Sequence, residues 1–202
     1  MRYLKNKALI VTFHSKRRLR FWNSFLRTGN WTSLFWMVSA GVVVVLLVFR
    51  RPSSRVTRSP WDWLVGVAGS LLVLLVRPTG EAVVPDVVGF VLQLFGTGFQ
   101  LCGKIALGRS FGIVAANRGV VSSGPYRLVR HPIYLGYLVT HAGFLLSNGS
   151  ARNLAIYAAA YFFQIARIYA EERILSEDRE YREYLRCVRY RLIPGVFCSS
   201  LQ

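Results

Sequence analysis

Cysteine, histidine and acidic residues are all scarce in this chain, and each scarcity excludes something. Three cysteines, Cys102, Cys187 and Cys198, lie far apart with no Cys-x-x-Cys. That spacing indicates neither a zinc site nor a disulfide framework; Cys102 reads as a small residue of a membrane core. Of three histidines, His14 sits in a basic arm, so no metal site is expected. No Gly-x-Gly-x-x-Gly follows an expected strand, and Gly108-Arg-Ser-Phe-Gly112 has the wrong spacing for a dinucleotide or P-loop cradle. There is no internal repeat. The first apolar stretch is short and no small-residue cleavage site follows it, so a signal peptide is not expected. Nine acids face 26 Lys and Arg, for a formal charge of +17. Only Asp62, Glu81 and Asp86 precede residue 171; six acids then fall within 171–183.

Apolar residues are abundant, at 53% of the 202, with 14% aromatic and only 17% charged. That is too apolar for an ordinary soluble domain. The apolar residues also come in blocks. Trp31–Phe49 carries no charge, Trp61–Val76 only Asp62, and Val87–Leu101, Ile133–Ser150 and Asn153–Ala166 none. A membrane span needs about 20 mostly apolar residues. Blocks this long, with so little polar 3.6-residue periodicity, argue against buried helices of a soluble bundle. Trp31, Trp36, Trp61 and Trp63 sit near block ends, as interfacial belts do. The expected fold is all-α: a polytopic integral membrane helical bundle with about five spans and a C-terminal cytosolic helical tail. The last two blocks join across 148–152 as a tight hairpin.

A charge of +17 first suggests nucleic acid, but its distribution does not. Basic residues fill the linkers at 50–60 and 104–130, whereas 77–86 carries Arg77, Glu81 and Asp86. Positive-inside sorting then puts the 50–60 and 104–130 linkers and the C-terminal tail in the cytosol, and the 77–86 and 148–152 turns outside. The acid-free arm, residues 1–30, breaks this scheme, because an odd number of spans puts it outside; it reads as a basic patch on anionic lipid heads. The acids and arginines after residue 171 suit a water-exposed helix with i,i+4 pairs. Glu171 and Glu172 stand apart at the membrane boundary, one turn after Arg167.

The chemistry gathers at the edges of the last two blocks. Gly124-Pro-Tyr-Arg-Leu-Val-Arg-His-Pro-Ile-Tyr-Leu-Gly136 opens one apolar helix, and Arg167-Ile-Tyr-Ala-Glu171-Glu172 closes the next. Ionisable groups at such depths are functional by default, while a lone Arg there is also a snorkelling anchor. Pro132 suits a first helical turn, which leaves His131 at the N-cap beside free N–H donors and a positive dipole end. Such a helix start holds carboxylates. Glu171 and Glu172 can accept hydrogen bonds from an amine or from ribose hydroxyls. Tyr126 and Tyr134 offer faces to adenine or a sulfonium. S-adenosylmethionine fits this set, and so does a dinucleotide.

Four motifs occur in order: Leu107-Gly-Arg-Ser-Phe-Gly112, the 124–136 segment, Arg167-x-x-x-Glu171-Glu172-x-x-Leu175, and Tyr181-x-x-Tyr184 with Tyr190-Arg-Leu-Ile-Pro-Gly-Val-Phe197. Together they resemble the isoprenylcysteine carboxyl methyltransferase family, part of the wider group of integral membrane methyltransferases that includes phospholipid methyltransferases. The resemblance spans roughly residues 87–198; the N-terminal half matches only as generic apolar helices. It implies methyl transfer from S-adenosylmethionine without a metal. By position it implies a cytosol-facing cofactor pocket of Arg118, Gly119, Val120, Val121, Tyr126, His131, Pro132, Ile133, Tyr134 and Glu171, with Arg167 at the substrate as the catalytic residue. The implied acceptor is lipophilic: an isoprenylcysteine carboxylate or a related lipid-like molecule, reached from membrane lipid. The implied organisation is a basic arm at 1–30, membrane helices at 31–86, and a methyltransferase-like core with its helical tail at 87–202. Two other readings stand beside it. The C-terminal pattern also resembles NADPH-dependent steroid and sterol reductases, although Ala170-Glu171-Glu172 favours methyl transfer. A non-catalytic membrane scaffold is the other.

Overall fold

The computed structural model describes residues 41–46, 48–49, 51, 53, 55–57, 59–78, 80–112 and 116–195. The basic arm, Trp31 and Trp36 lie outside the described residues. The chain divides into two units, Met1–Arg50 and Arg51–Gln202. In the first, residues 41–46 and 48–49 are helical. The second carries five α-helices and one two-stranded ribbon among its described residues.

Local chemistry starts and stops these helices. Helix α1, Pro60–Leu71, begins with Pro at its first position and runs on into a 3-10 turn at Leu72–Leu75. Helix α2, Asp86–Leu107, follows Pro85 and ends at Gly108, whose φ of 50° suits glycine. Helix α3, Pro132–Ser147, has His131 as its N-cap residue and Pro132 in its first turn. The Ser150 side chain accepts from the amide of Asn153 and so caps α4, Ala151–Leu175. Asp178 caps α5, Arg179–Cys187, in the same way. The ribbon pairs β1, Arg55–Val56, antiparallel with β2, Ala116–Asn117.

Antiparallel pairs build the bundle. Helix α2 lies against α3 through glycines at seven-residue spacing: Gly89, Gly96 and Gly103 on one side, Gly136 and Gly143 on the other. Small residues at this repeat let two backbones approach closely, the usual solution where lipid removes the hydrophobic drive for helix association. Helix α1 lies against α4. Asp62 there is buried and accepts from Thr57 Oγ1 and from Arg173 Nη2, the latter at 2.6 Å. Helices α3 and α4 face each other across aromatic rings rather than backbone. His141 stacks on Tyr137 and on Tyr157, with centroids at 6.0 and 4.7 Å, and its Nδ1 lies 2.9 Å from Tyr161 Oη.

The linkers sort into two ends. At one, Glu81 and Gly149 exchange backbone hydrogen bonds of 3.2 and 2.8 Å, joining the 77–86 and 148–152 turns. At the other, the ribbon joins the 50–60 and 104–130 linkers, and Arg51 N donates to Arg109 O at 2.7 Å. This is the grouping that the alternating charge of the linkers requires. Asn153 anchors the first end. It is fully buried, donates to Arg77 O and Asn148 O at 2.9 and 3.1 Å, and accepts from Arg77 N at 3.3 Å. Asn153→Ala strands these backbone groups and is expected to cost about 2–3 kcal/mol; thermal unfolding in detergent reads it, and an unchanged midpoint would contradict this role.

Polar side chains share the interior with apolar ones, while large apolar side chains cover much of the outside. Thr97, Gln100, Lys104, Thr140 and Gln164 are buried, whereas Leu64, Val91, Phe95, Ile105 and Phe162 are exposed. Cys102 is exposed as well. Among the described residues one helix, Asp86–Ser110, is long and apolar enough to cross a membrane, and Pro60–Leu75 is a shorter apolar helix.

Candidate active site

The first turn of α3 and the last turns of α4 meet at the ribbon end of the bundle. Tyr134 Oη donates to Glu171 Oε1 at 2.7 Å. Arg167 Nε donates to the same oxygen at 3.1 Å, from one turn earlier on α4. The guanidinium also reaches Gly112 O at 3.1 Å and Ser70 Oγ at 3.4 Å, and it lies 5.3 Å from the Tyr134 ring centroid. Arg167 is only 7% exposed. A snorkelling side chain would reach for water; this one turns inward and ties α1, α4 and the loop after α2 together.

Glu171 and Glu172 have different tasks because successive helical residues point about 100° apart. Glu172 faces a knot of cations. It accepts from Arg191 Nε at 2.8 Å and Arg130 Nη1 at 3.4 Å. His131 Nε2 lies 3.2 Å from Glu172 Oε1, and since a carboxylate only accepts, the imidazole is the donor. The Glu172 side chain is 9% exposed against 20% for Glu171. Glu171 Oε2 lies 3.9 Å from His131 Nδ1. The more open carboxylate is therefore Glu171.

A C-terminal strap closes the back of the cluster. Arg130 N and His131 N donate to Tyr190 O and Arg191 O, each at 3.0 Å, and Arg130 Nε donates to Val188 O at 2.6 Å. Tyr126 lies in the 3-10 turn Gly124–Arg127, buried with Tyr181, Tyr184 and Val188 and flanked by Val120 and Val121. Tyr184 Oη donates to Tyr126 O at 2.7 Å. Burial first, and then the charge of Glu171, push the Tyr126 phenol well up, so it stays neutral. Farther out, Asn117 Nδ2 donates to Asp178 at 2.9 Å, and that bond first of all holds the Asp178 carboxyl below the usual range.

The residues read from the motifs thus fall into three places. His131, Tyr134, Arg167 and Glu171 share one polar cluster. Val120, Val121 and Tyr126 line an apolar cluster beside it. Pro132 and Ile133 are buried where α3 meets Gly103 of α2. Arg118 runs beside Gly112, whose carbonyl Arg167 holds, and Gly119 is exposed with a φ of 97°. Arg130, Arg191 and Ser70 join the cluster without having been singled out. The Arg130-His131 pair was a local signal for the first, and Arg191 lay within the 190–197 motif without being assigned to the site; Ser70 comes from a distant segment and carried no signal.

This donor and acceptor set fits S-adenosylmethionine. The partly exposed Glu171 offers an acceptor for an amine or for ribose hydroxyls. The first turn of α3 offers amide donors for a carboxylate. Tyr134 and His131, stacked with centroids 5.6 Å apart, offer aromatic surface.

No curated protein is significantly similar to the chain. Residues 85–181, which run from the start of α2 into α5, match the family model described as phospholipid methyltransferase, a group whose members generally use S-adenosylmethionine. Over this segment, just under half of its length, the chain is similar to the phospholipid methyltransferase family of membrane methyltransferases, the group that embraces the isoprenylcysteine carboxyl methyltransferase-like enzymes.

Proposed function

We propose that this chain transfers a methyl group from S-adenosylmethionine to a lipophilic acceptor, an isoprenylcysteine carboxylate or a related lipid-like molecule. The observation that carries the reading is the convergence of Tyr134 and Arg167 on Glu171, with His131 beside it, inside the family-matched segment. The match to a methyltransferase family favours methyl transfer over nicotinamide-dependent reduction and over a scaffold.

When bound, S-adenosylmethionine supplies an electrophilic methyl carbon on a positive sulfur. Glu171 would accept from its amine or ribose. The α3 N-terminus and His131 would orient its carboxylate. Tyr126 and Tyr134 would offer it aromatic surface, alongside the 118–121 backbone. Arg167 holds Glu171 in place and faces the acceptor, compensating charge there. Methyl transfer would leave the electron pair of the broken carbon–sulfur bond on sulfur, so the protein would have to provide a bound acceptor and no external oxidant or reductant. A carboxylate nucleophile releases no proton, whereas an amine needs a base. Rate comes from proximity and fixed electrostatics. In this reading the bundle has about five spans, its ribbon end faces the cytosol where the basic linkers gather, and the acceptor enters laterally from lipid.

Glu171→Gln and His131→Ala are each expected to weaken S-adenosylmethionine binding by about 1–3 kcal/mol, the cost of losing a hydrogen bond to a charged group. Calorimetry on detergent-solubilised protein, run against NADPH, tests this. Binding of NADPH but not S-adenosylmethionine would overturn the reading. Labelled methyl transfer into lipid extracts and prenylcysteine compounds then identifies the acceptor.

A further inference from the structure

Helix α2 carries a lysine inside the bundle. Lys104 is 2% exposed and Gln100, one turn earlier, is 1% exposed. In a helix apolar enough to cross a membrane, a buried cation is costly and marks a functional position by default. Lys104 Nζ lies 2.7 Å from Gln100 Oε1. An ammonium only donates, so this contact settles which way the amide faces: its oxygen meets Lys104 and its NH2 points elsewhere. That NH2 group, Gln100 Nε2, is buried and has no hydrogen-bond partner. A donor left unsatisfied at such depth costs free energy that a helix ladder cannot recover.

The two groups sit beside the candidate active site. Gln100 meets Gly136 and Gly103 meets Ile133, both within the first turns of α3. The Lys104 ammonium is 5.1 Å from the centroid of the Tyr137 ring, and Tyr137 is 6.4 Å from Tyr134, the residue that holds Glu171. A positive charge and an orphaned two-proton donor, held side by side, call for a ligand that only accepts and carries negative charge.

We propose that Gln100 and Lys104 form a recognition subsite for an anionic oxygen group, carboxylate or phosphate, carried by the lipophilic acceptor. The inference rests on the methyltransferase reading and adds to it a property of the substrate. Gln100 Nε2 supplies the hydrogen bond and Lys104 the charge. A purely structural lysine would explain the contact with Gln100 Oε1, but it leaves the amide NH2 without a purpose.

The test measures binding of dodecyl phosphate, dodecanoate and uncharged dodecanol to the full chain in maltoside detergent. The wild type is compared with Lys104→Gln and Gln100→Leu. Wild type is expected to prefer at least one anionic probe over dodecanol by about tenfold, the size of a hydrogen bond to a charged group. Each variant is expected to lose that preference while keeping its S-adenosylmethionine affinity. The tighter anionic probe identifies the group. Equal affinity for all three probes in the wild type, or a preference that survives Gln100→Leu, overturns the subsite. If melting shows that Lys104→Gln fails to fold, Gln100→Leu decides alone. A wild type that shows no anionic preference yet binds S-adenosylmethionine sinks this inference only; a wild type that binds no S-adenosylmethionine sinks the methyltransferase reading beneath it.

Discussion

Arg167→Ala is expected to destabilise the bundle by about 3 kcal/mol and to suppress methyl transfer far more than it weakens cofactor binding. The stability figure is the low end for breaking a buried ion pair, because the Glu171 side chain keeps 20% exposure and can regain some solvent. The substitution also strands the Gly112 carbonyl and the Ser70 hydroxyl, so α1, α4 and the loop after α2 lose a shared tie. Glu171 then rests on Tyr134 alone, with His131 at 3.9 Å. Arg167→Lys keeps the charge but not the planar fork that serves three acceptors together, so it should rescue stability only in part. Thermal unfolding and labelled methyl transfer, measured on the same preparations, check both effects. A melting midpoint and a turnover both matching wild type would return Arg167 to the role of a membrane anchor.

Gly96→Leu is expected to be at least as damaging, by a different route. A Cβ at Gly96 would stand 2.5 Å from Thr140 N and 2.7 Å from Gly136 O, both backbone atoms that cannot swing away. The helices must separate to accept it. Gly136→Leu fails in the same way, since its Cβ would stand 2.6 Å from Gln100 N. Overpacking of this kind costs about 3 kcal/mol or more when backbone has to move. Separation would also shift the start of α3, which carries His131 and Tyr134, away from α4. Gly98 is the control. It sits on the same helix with nothing within 4 Å of its added Cβ, so Gly98→Ala should be neutral or slightly stabilising, by up to about 1 kcal/mol. Equal tolerance of leucine at 96 and alanine at 98 would refute close α2–α3 packing.

These two sites show how unevenly the structure was legible beforehand. Helix starts are local events, so they could be read from residues in hand: proline in the first turn of α1 and α3, His131 at the α3 N-cap, and the turn at 148–152. The meeting of the 124–136 segment with Glu171 also followed, because that turn makes α3 and α4 antiparallel. The alternating charge of the linkers foretold which of them share an end.

What the sequence determined by itself is therefore, among the described residues, the apolar helical segments after residue 60, their order, and the polar residues stationed at their ends, all of which depend on neighbours within a turn or two. Only the tertiary structure decided which helix lies on which, and with it the division of labour within the site. The heptad of Gly89, Gly96 and Gly103 became meaningful once α3 lay against it. Glu172 was assigned to Arg130, His131 and Arg191, and Glu171 to Tyr134 and Arg167, by a rotation of one residue along α4 combined with a strap arriving from residues 188–191. Such choices depend on long-range packing, in which partners far apart in the chain satisfy charges that the local sequence leaves open.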